Sequence, residues 1–306
     1  MRGWRVRLTK GEDMGTGRRV KPEGRDDFDV EAEVFGNRGL VAQVLHPQWM
    51  RRTDIRQIGR ILKEVSEKVS AQSSDVRLIV TGGGFIEIEH NKTYSARSWR
   101  SEQVLNEITG VVQATMRPVA ALVSDSLDYV IGVDVTGNAG CSGQFAVLLK
   151  AGKVAGVAWK TYPTSAESTH LAGFGTEEGR NSPRVVSTSL GKTLLLVCHD
   201  AQAYSDLRRK ATERRRVNAK QTMRSLAEAE HPTWALSMIH SIAVRRQATN
   251  PFRISYKKLH DSYGVSNVVG AFGYQKEAEG DLQTLAGLTQ YPEGTSEVVV
   301  ALRPSH

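Results

Sequence analysis

The chain has 306 residues, of which 40% are hydrophobic and 24% are charged, which is the balance of a globular protein and not of a disordered one. This length accommodates one large domain or two ordinary ones. Dense apolar runs such as Thr193–Cys198 have the size of a strand and are far shorter than the ~20 residues of a membrane span. We therefore expect no membrane segment. The net charge of +8 suits nucleic acid, an acidic substrate or solubility alone.

Cysteine content and the N-terminal segment indicate where the protein works. Two cysteines in the whole chain exclude a disulfide scaffold and favour a reducing compartment. The N-terminal segment is basic but lacks the apolar stretch of a secretory signal, so we expect a cytoplasmic protein. Residues 1–38 are polar, basic and rich in glycine, and we interpret them as an irregular extension with a short strand near Phe28–Phe35. Residues 39–306 contain no linker and are predicted to form a single domain.

The first part of this domain alternates strands with helices. Leu40–Leu45 has the composition of a buried strand. Apolar residues at helical spacing predict an amphipathic helix over 54–70. Val76–Thr81 predicts a second strand, and three glycines follow it. A second helical pattern over 99–116 is expected to end before Pro118.

β-rich segments dominate the remainder of the chain. The predicted strands are Val119–Val123, Tyr129–Val135, Gln144–Leu149, Val154–Trp159, Thr193–Val197, Ala235–Ile239, Val268–Phe272 and Val298–Leu302. Further helices are predicted over 204–229 and 252–263. Early alternation of strands and helices with a meander in the middle predicts a layered α/β architecture, with one mixed sheet or two packed sheets.

Cys198 is the most informative position for function. It ends an apolar strand and precedes His199, Asp200 and a predicted helix. A side chain at such a turn is exposed at the carboxyl edge of the sheet, where α/β proteins place active sites. The backbone N–H of His199 can contribute to an oxyanion hole, and a helix N-terminus favours a thiolate. The alternative interpretation is that Cys198 is a small buried hydrophobic residue.

Lys160 ends a second apolar strand, and Glu167 follows seven positions later. A lysine at the end of a buried strand can direct its ammonium into a cleft. There it stabilises a developing oxyanion and lowers the pKa of a neighbouring thiol. The alternative is a surface lysine whose aliphatic part covers apolar neighbours.

Two segments around these residues resemble the nitrilase (carbon–nitrogen hydrolase) superfamily. They are GKVAGVAWKTYPTSAE at 152–167 and LGKTLLLVCHDAQAY at 190–204. The resemblance implies an αββα sandwich with two mixed β-sheets, which pairs into dimers or higher oligomers. It also implies a Glu-Lys-Cys triad in which Cys198 matches the nucleophile, Lys160 the lysine and Glu167 a supporting second glutamate. No metal or organic cofactor is implied.

The general-base glutamate of that family has no direct counterpart in this chain. Gly83 occupies its expected place, and Glu87 and Glu89 follow it. Either glutamate is a candidate base if the glycines form a bulge, because glycine permits unusual backbone paths. Otherwise the base is absent, and the thiol has no partner to take its proton and later activate water.

Two hypotheses of function follow. The first is an amidase-like or nitrilase-like hydrolase that cleaves a non-peptide C–N bond in a small amide or nitrile. The second is a catalytically inactive, divergent relative that serves as a binding or assembly module.

The basic run Arg208–Arg216 has six basic residues in nine positions, and such a run can bind phosphates. It lacks interleaved aromatic residues for base stacking, so a solvated helix face is favoured over a nucleic-acid surface. The eight histidines lack metal-site spacing.

Overall fold

The computed structural model describes residues 30–35, 39–48, 54–164, 166–205, 214–242, 250–296 and 298–304. Most of the predicted N-terminal extension, and the part of the basic run before Arg214, lie outside these residues. The short strand expected near Phe28–Phe35 is found at Val30–Phe35.

The described chain contains thirteen strands and seven α-helices. The strands are β1 (Val30–Phe35), β2 (Val41–Pro47), β3 (Leu78–Thr81), β4 (Ile86–Glu89), β5 (Asp128–Thr136), β6 (Ser142–Lys150), β7 (Lys153–Trp159), β8 (Val185–Thr188), β9 (Gly191–Val197), β10 (Trp234–Ile242), β11 (Asn267–Tyr274), β12 (Gln290–Tyr291) and β13 (Val298–Pro304). The helices are α1 (Ile55–Gln72), α2 (Ala96–Trp99), α3 (Glu102–Ala120), α4 (Glu177–Arg180), α5 (Arg214–Glu230), α6 (Asn250–Tyr263) and α7 (Leu282–Leu288). Among the described residues, no helix has the length and apolar composition to cross a membrane.

The strands form two mixed sheets that are joined through two of their interior strands, β2 and β11. The first sheet has the order β7-β6-β5-β3-β2-β13-β1, with β4 paired to the end of β5. The second sheet has the order β8-β9-β10-β11-β12. The two sheets are joined where the ends of β2 and β11 pair in parallel, with His46 opposite Gly273.

Three layers of buried apolar side chains define four layers of secondary structure. One layer lies between the first sheet and helices α1 and α3. A second lies between the second sheet and helices α5, α6 and α7. The third, which we call the inter-sheet cluster, joins the two sheets and includes Val80, Val130, Ala158, Val197 and Met238. The order is therefore helix, sheet, sheet, helix, and the predicted α/β class with mixed sheets is confirmed.

The alternation of side chains along each strand assigns residues to these layers. On β10, Leu236 and Met238 belong to the inter-sheet cluster, whereas Ala235 and Ile239 pack toward the helices. Because both faces of such a strand are covered, its sequence is continuously apolar. This explains why the core strands could be predicted from apolar runs.

The predicted strand Val119–Val123 is wrong. Helix α3 continues through Pro118 and ends at Ala120. Proline lacks an N–H group and so removes one helical hydrogen bond. However, Val119 and Ala120 are fully buried, and this burial favours the last helical turn over a strand.

The basic helix is only partly the solvated face that the sequence predicted. Arg214 and Arg215 are exposed at the start of α5, but Arg216 is buried. Its guanidinium lies 4.9 Å from the centre of the Tyr162 ring, a distance typical of a cation–π contact. Arg216 therefore packs inward and is not part of a free basic surface.

Candidate active site

Polar side chains continue the inter-sheet cluster at one end of the two sheets. Lys160 follows Ala158 by two positions, and His240 follows Met238 by two. Asp134 likewise lies on the face of β5 that contains Val130. Residues two apart on a strand share a face, so Lys160, His240 and Asp134 all point into the space between the sheets.

Cys198 lies at the end of β9, where the chain turns into a 3-10 helix over Cys198–Tyr204. Its φ angle is 50°, a left-handed conformation that is unfavourable for a residue with a Cβ atom. Strained residues of this kind are concentrated at active sites, where the surrounding structure holds them in place. The residue is only 6% exposed, and its Sγ lies 3.2 Å from Nδ1 of His199.

The ammonium of Lys160 is buried and has three acceptors. It donates to both carboxylate oxygens of Glu167, at 2.7 and 2.8 Å, and to Oε1 of Gln144 at 2.7 Å. An ammonium has three protons to donate, so this arrangement uses them all. The position of Nζ is therefore fixed by two neighbours and does not depend on solvent.

Charge compensation keeps Lys160 and Glu167 ionised. Burial lowers the pKa of Lys160, but the thiolate of Cys198 and the carboxylate of Glu167 outweigh it, and the pKa is raised. Burial raises the pKa of Glu167, but the nearby ammonium and backbone hydrogen bonds reverse this and lower it to about 2. The pair therefore carries both charges at neutral pH.

The Cys198 thiol is strongly acidified by its surroundings. Burial alone raises its pKa, because it disfavours the charged form. The positive charges of Lys160 and His240, together with hydrogen bonds from His199 and His240, lower the pKa well below its ordinary value. The site therefore favours a thiolate, the nucleophilic form of cysteine.

His240 supplies the second positive charge. Its Nε2 lies 2.7 Å from Oδ1 and 2.9 Å from Oδ2 of Asp134. Burial lowers the pKa of His240, but Asp134 and the Cys198 thiolate raise it to about 10. The imidazole is therefore held as a cation between a carboxylate and a thiolate.

A buried ion pair connects the strand ends that present Cys198 and Lys160. Asp200 accepts hydrogen bonds from the backbone N–H groups of Thr161 at 3.0 Å and Tyr162 at 2.6 Å, directly after Lys160. It also accepts a hydrogen bond of 2.8 Å from Arg184, which is almost completely buried. Asp200 thus ties the loop after β7 to the turn after β9.

The structure brings four of the six predicted site residues together: Cys198, Lys160, Glu167 and His199 surround one point between the sheets. Glu87 and Glu89 lie on β4, where Glu87 is the register partner of Asp134. Apart from burial, the largest influences on the pKa of the Cys198 thiol come from Lys160, His240 and His199, and neither glutamate is among these.

Sequence reasoning missed His240, Asp134, Gln144 and Arg184. For His240 the sequence did contain a signal. Strands β9 and β10 are parallel, with Val197 opposite Met238, so His240 lies one position beyond the level of Cys198. A polar residue directly after the apolar run Ala235–Ile239, on the strand beside that of the nucleophile, is a candidate because parallel strands carry their sites at the carboxyl edge.

Within the described residues, no three or more histidine, cysteine, aspartate or glutamate side chains are grouped so that they could hold a metal ion. The site is built from a thiol, two cations and two carboxylates, and this set is suited to nucleophilic and acid–base chemistry.

Comparison with known proteins gives similarity at the level of structure only. No protein-family model matches the sequence, and no curated protein matches it. A carbon–nitrogen hydrolase from Helicobacter pylori is similar in structure, with 14% sequence identity and a TM-score of 0.46, over 79% of this chain and 74% of that one.

Two further solved structures are also similar to this chain in structure. An amidase from Nesterenkonia sp. AN1 is 17% identical, with a TM-score of 0.46, over 76% of this chain and 75% of that one. Nit3 of Saccharomyces cerevisiae, a member of the nitrilase superfamily, is 11% identical, with a TM-score of 0.43, over 80% and 76% of the two chains. At such low identity the chemistry has to be inferred from this chain's own side chains.

Removing the carboxylate of Asp200 should destabilise the fold. We expect Asp200→Asn to lower the free energy of unfolding by about 3–5 kcal/mol, because it leaves the buried Arg184 guanidinium without its counter-charge. The matched control is Glu67→Gln, which removes an ion pair with Lys63 whose side chains are 66% and 67% exposed, and which should change stability by less than ~1 kcal/mol. Urea unfolding measures both, and equal effects would contradict this role of Asp200.

Glu167 should make stability depend on pH in the acid range. Its pKa in the folded protein is about 2, against an ordinary value of 4.5, so its stabilising contribution is present above 4.5 and is lost as the pH falls toward 2. That contribution is about 3 kcal/mol. Glu167→Gln should therefore lose less stability than the wild type over this range, as measured by urea unfolding at stepped pH. The Glu67→Gln control should follow the wild-type slope, and a parallel slope for Glu167→Gln would contradict the expectation.

Proposed function

We propose that this protein is an amidase-like hydrolase that cleaves the C–N bond of a small amide or nitrile, with Cys198 as the nucleophile. The observation that carries the proposal is the environment of the Cys198 thiol. It lies at a strained strand-to-helix turn, and the neighbouring cations Lys160 and His240 lower its pKa. Neither the strained turn nor the lowered pKa is required of a cysteine that only fills space in the core.

In the proposed reaction, the Cys198 thiolate attacks the electrophilic carbon of the substrate. With an amide, the carbonyl oxygen becomes an oxyanion, and the C–N bond then breaks to leave a thioester. Water hydrolyses the thioester, which releases the acid and regenerates the thiolate. Dividing the hydrolysis in this way replaces one difficult step with two easier ones.

Lys160 is proposed to stabilise the oxyanion through its charge, together with the backbone N–H of His199. All three of its protons already have acceptors in Glu167 and Gln144. This fixed geometry suits electrostatic stabilisation, because no reorganisation is required when the charge develops. Glu167 is a positioning residue in this scheme, since it keeps the ammonium ionised and in place.

The burial of the site favours a small substrate. Cys198 is 6% and Lys160 is 2% exposed, so a folded polypeptide would have no access to the thiol. More exposed groups border the site: the side chains of Asp134 and His240 are each 22% exposed. Substrate is expected to enter past these two residues.

The alternative is an inactive protein that acts as a binding or assembly module, with the basic helix facing nucleic acid. Of the basic run, Arg216 packs onto Tyr162 and is unavailable to a phosphate. We also propose a cytoplasmic location, which the two free thiols support, and a homodimer or higher homo-oligomer, which the sequence resemblance implies.

The reactivity of Cys198 tests the hydrolase proposal. Iodoacetamide should alkylate Cys198 much faster than Cys141 near neutral pH, because burial raises the pKa of the Cys141 thiol while the two cations lower that of Cys198. Lys160→Met should slow this alkylation. Peptide mass spectrometry measures the rate at each cysteine.

Turnover gives the second readout. Cys198→Ala should abolish hydrolysis across a panel of small amides and nitriles, and the matched control Cys141→Ala should retain it. If Cys198 resists alkylation in the folded protein and no substrate in the panel is hydrolysed, the hydrolase proposal is wrong and the inactive module replaces it.

A further inference from the structure

The space next to Gly83 is filled by a side chain from the other sheet. A Cβ atom built on Gly83 would lie 2.7 Å from Nδ1 and 2.8 Å from Cε1 of His240. Contacts under 3.0 Å are closer than Cβ atoms make, so a side chain at position 83 would require the His240 ring to move. The imidazole of His240 therefore lies where a side chain from the end of β3 would begin, which is the place of the glutamate that the sequence lacks.

Backbone contacts hold the two strand ends at this short distance. The N–H of Gly83 donates a hydrogen bond of 3.0 Å to the carbonyl oxygen of Ile239, the residue before His240. On β10 the side chain of Met238 faces the inter-sheet cluster, and His240 continues this face. The main chain of β10 and the main chain at Gly83 therefore direct the His240 ring between the sheets and toward Gly83.

The two nitrogens of the His240 ring have different environments. Nε2 is bound to both oxygens of Asp134. Nδ1 is buried and lies on the side of the ring that meets Gly83. Because Asp134 occupies Nε2, Nδ1 faces the Cys198 thiolate, with which the imidazole interacts. This is the nitrogen left to exchange a proton in the site.

We propose that His240, oriented by Asp134, is the general acid–base of the hydrolysis and takes the place of the glutamate absent at Gly83. This inference rests on the proposed function and assigns its missing base. Asp134 is a positioning residue, because it contacts the imidazole and not the reacting atoms. The result is a cysteine–histidine–aspartate arrangement that shares one site with Lys160.

Cys198 and His240 account for every proton that is transferred in the reaction. The resting site contains the Cys198 thiolate and the protonated His240. As the thiolate forms the C–S bond and the C–N bond of the amide breaks, His240 gives its Nδ1 proton to the leaving nitrogen. Neutral His240 then takes a proton from water as the water attacks the thioester. The C–S bond breaks, the acid leaves, and the thiolate and protonated imidazole are restored.

Several charged or titratable groups surround the imidazole. Asp134 contacts it from β5, and its register partner Glu87 lies on the adjacent strand β4. Cys198 acts on the ring from the end of the adjacent strand β9, Lys160 acts on the thiol from the end of β7, and His199 lies beside the thiol. The thiolate and the Asp134 carboxylate favour the protonated ring, while Lys160 favours the thiolate.

The test compares variants of the full-length protein by two readouts. One is the pH profile of Cys198 alkylation by iodoacetamide, and the other is turnover of an amide that the wild type hydrolyses. His240→Gln should lower turnover by about 10²–10⁴-fold and move the onset of alkylation to higher pH. The isosteric variant Asp134→Asn, which retains the imidazole and serves if His240→Gln fails to fold, should lower turnover at least ~10-fold and move the onset in the same direction.

The matched control is His260→Gln, which removes a histidine from a second His–Asp pair at the surface and should leave both readouts unchanged. Glu87→Gln and Glu89→Gln test the bases that the sequence suggested. The proposal is overturned if folded His240→Gln retains turnover and the wild-type profile, or if one of the glutamate variants shows the loss instead. Either result leaves the hydrolase proposal intact as long as Cys198→Ala is inactive. If no amide is turned over, an unchanged alkylation profile in His240→Gln still overturns the proposed role of His240.

Discussion

Face-to-face packing of the two sheets is the constraint on which the site depends. The inter-sheet cluster occupies the space between them, and side chains alternate strictly along each strand. Where this apolar layer ends, the next residue on the same face also points between the sheets. Lys160, His240 and Asp134 all occupy such positions, so residues from three distant parts of the chain converge without any specialised loop.

The energetic counterpart of this geometry is a set of buried charges that compensate one another. The Arg184–Asp200 pair fixes the backbone after Lys160, and the Lys160–Glu167 pair fixes the ammonium. A buried charge without a partner is strongly destabilising, so each pair specifies one arrangement of the strand ends. Cys198 gains its acidity from these fixed charges, and the residue is held at a strained φ angle.

The sequence predicted the parts of this picture that local pattern encodes. Apolar runs ended by Cys198 and Lys160 identified both strand ends, because a buried strand and its first polar residue are contiguous. Pro118 misled the prediction, since burial of Val119 outweighed the preference of proline to end a helix.

His240 could not be assigned a role from local pattern alone. Its position depends on which face of β10 points between the sheets and on its contact with Gly83, 157 residues earlier in the chain. Gly83 was recognised as the place of a missing group, but the sequence offered no means to see that a residue from the other sheet fills it. The nearby glutamates were the only local candidates.

The protonation state of His240 is the most direct test of this account. Nitrogen-15 NMR of the imidazole, followed against pH, should show both ring nitrogens protonated through neutral pH, with deprotonation only near the raised pKa of about 10. In Cys198→Ala the deprotonation should occur at lower pH, because the thiolate is one of the charges that raise this pKa. An imidazole that titrates near its ordinary value of 6.5 in both proteins would contradict the thiolate–imidazolium pair and, with it, the proposed role of His240.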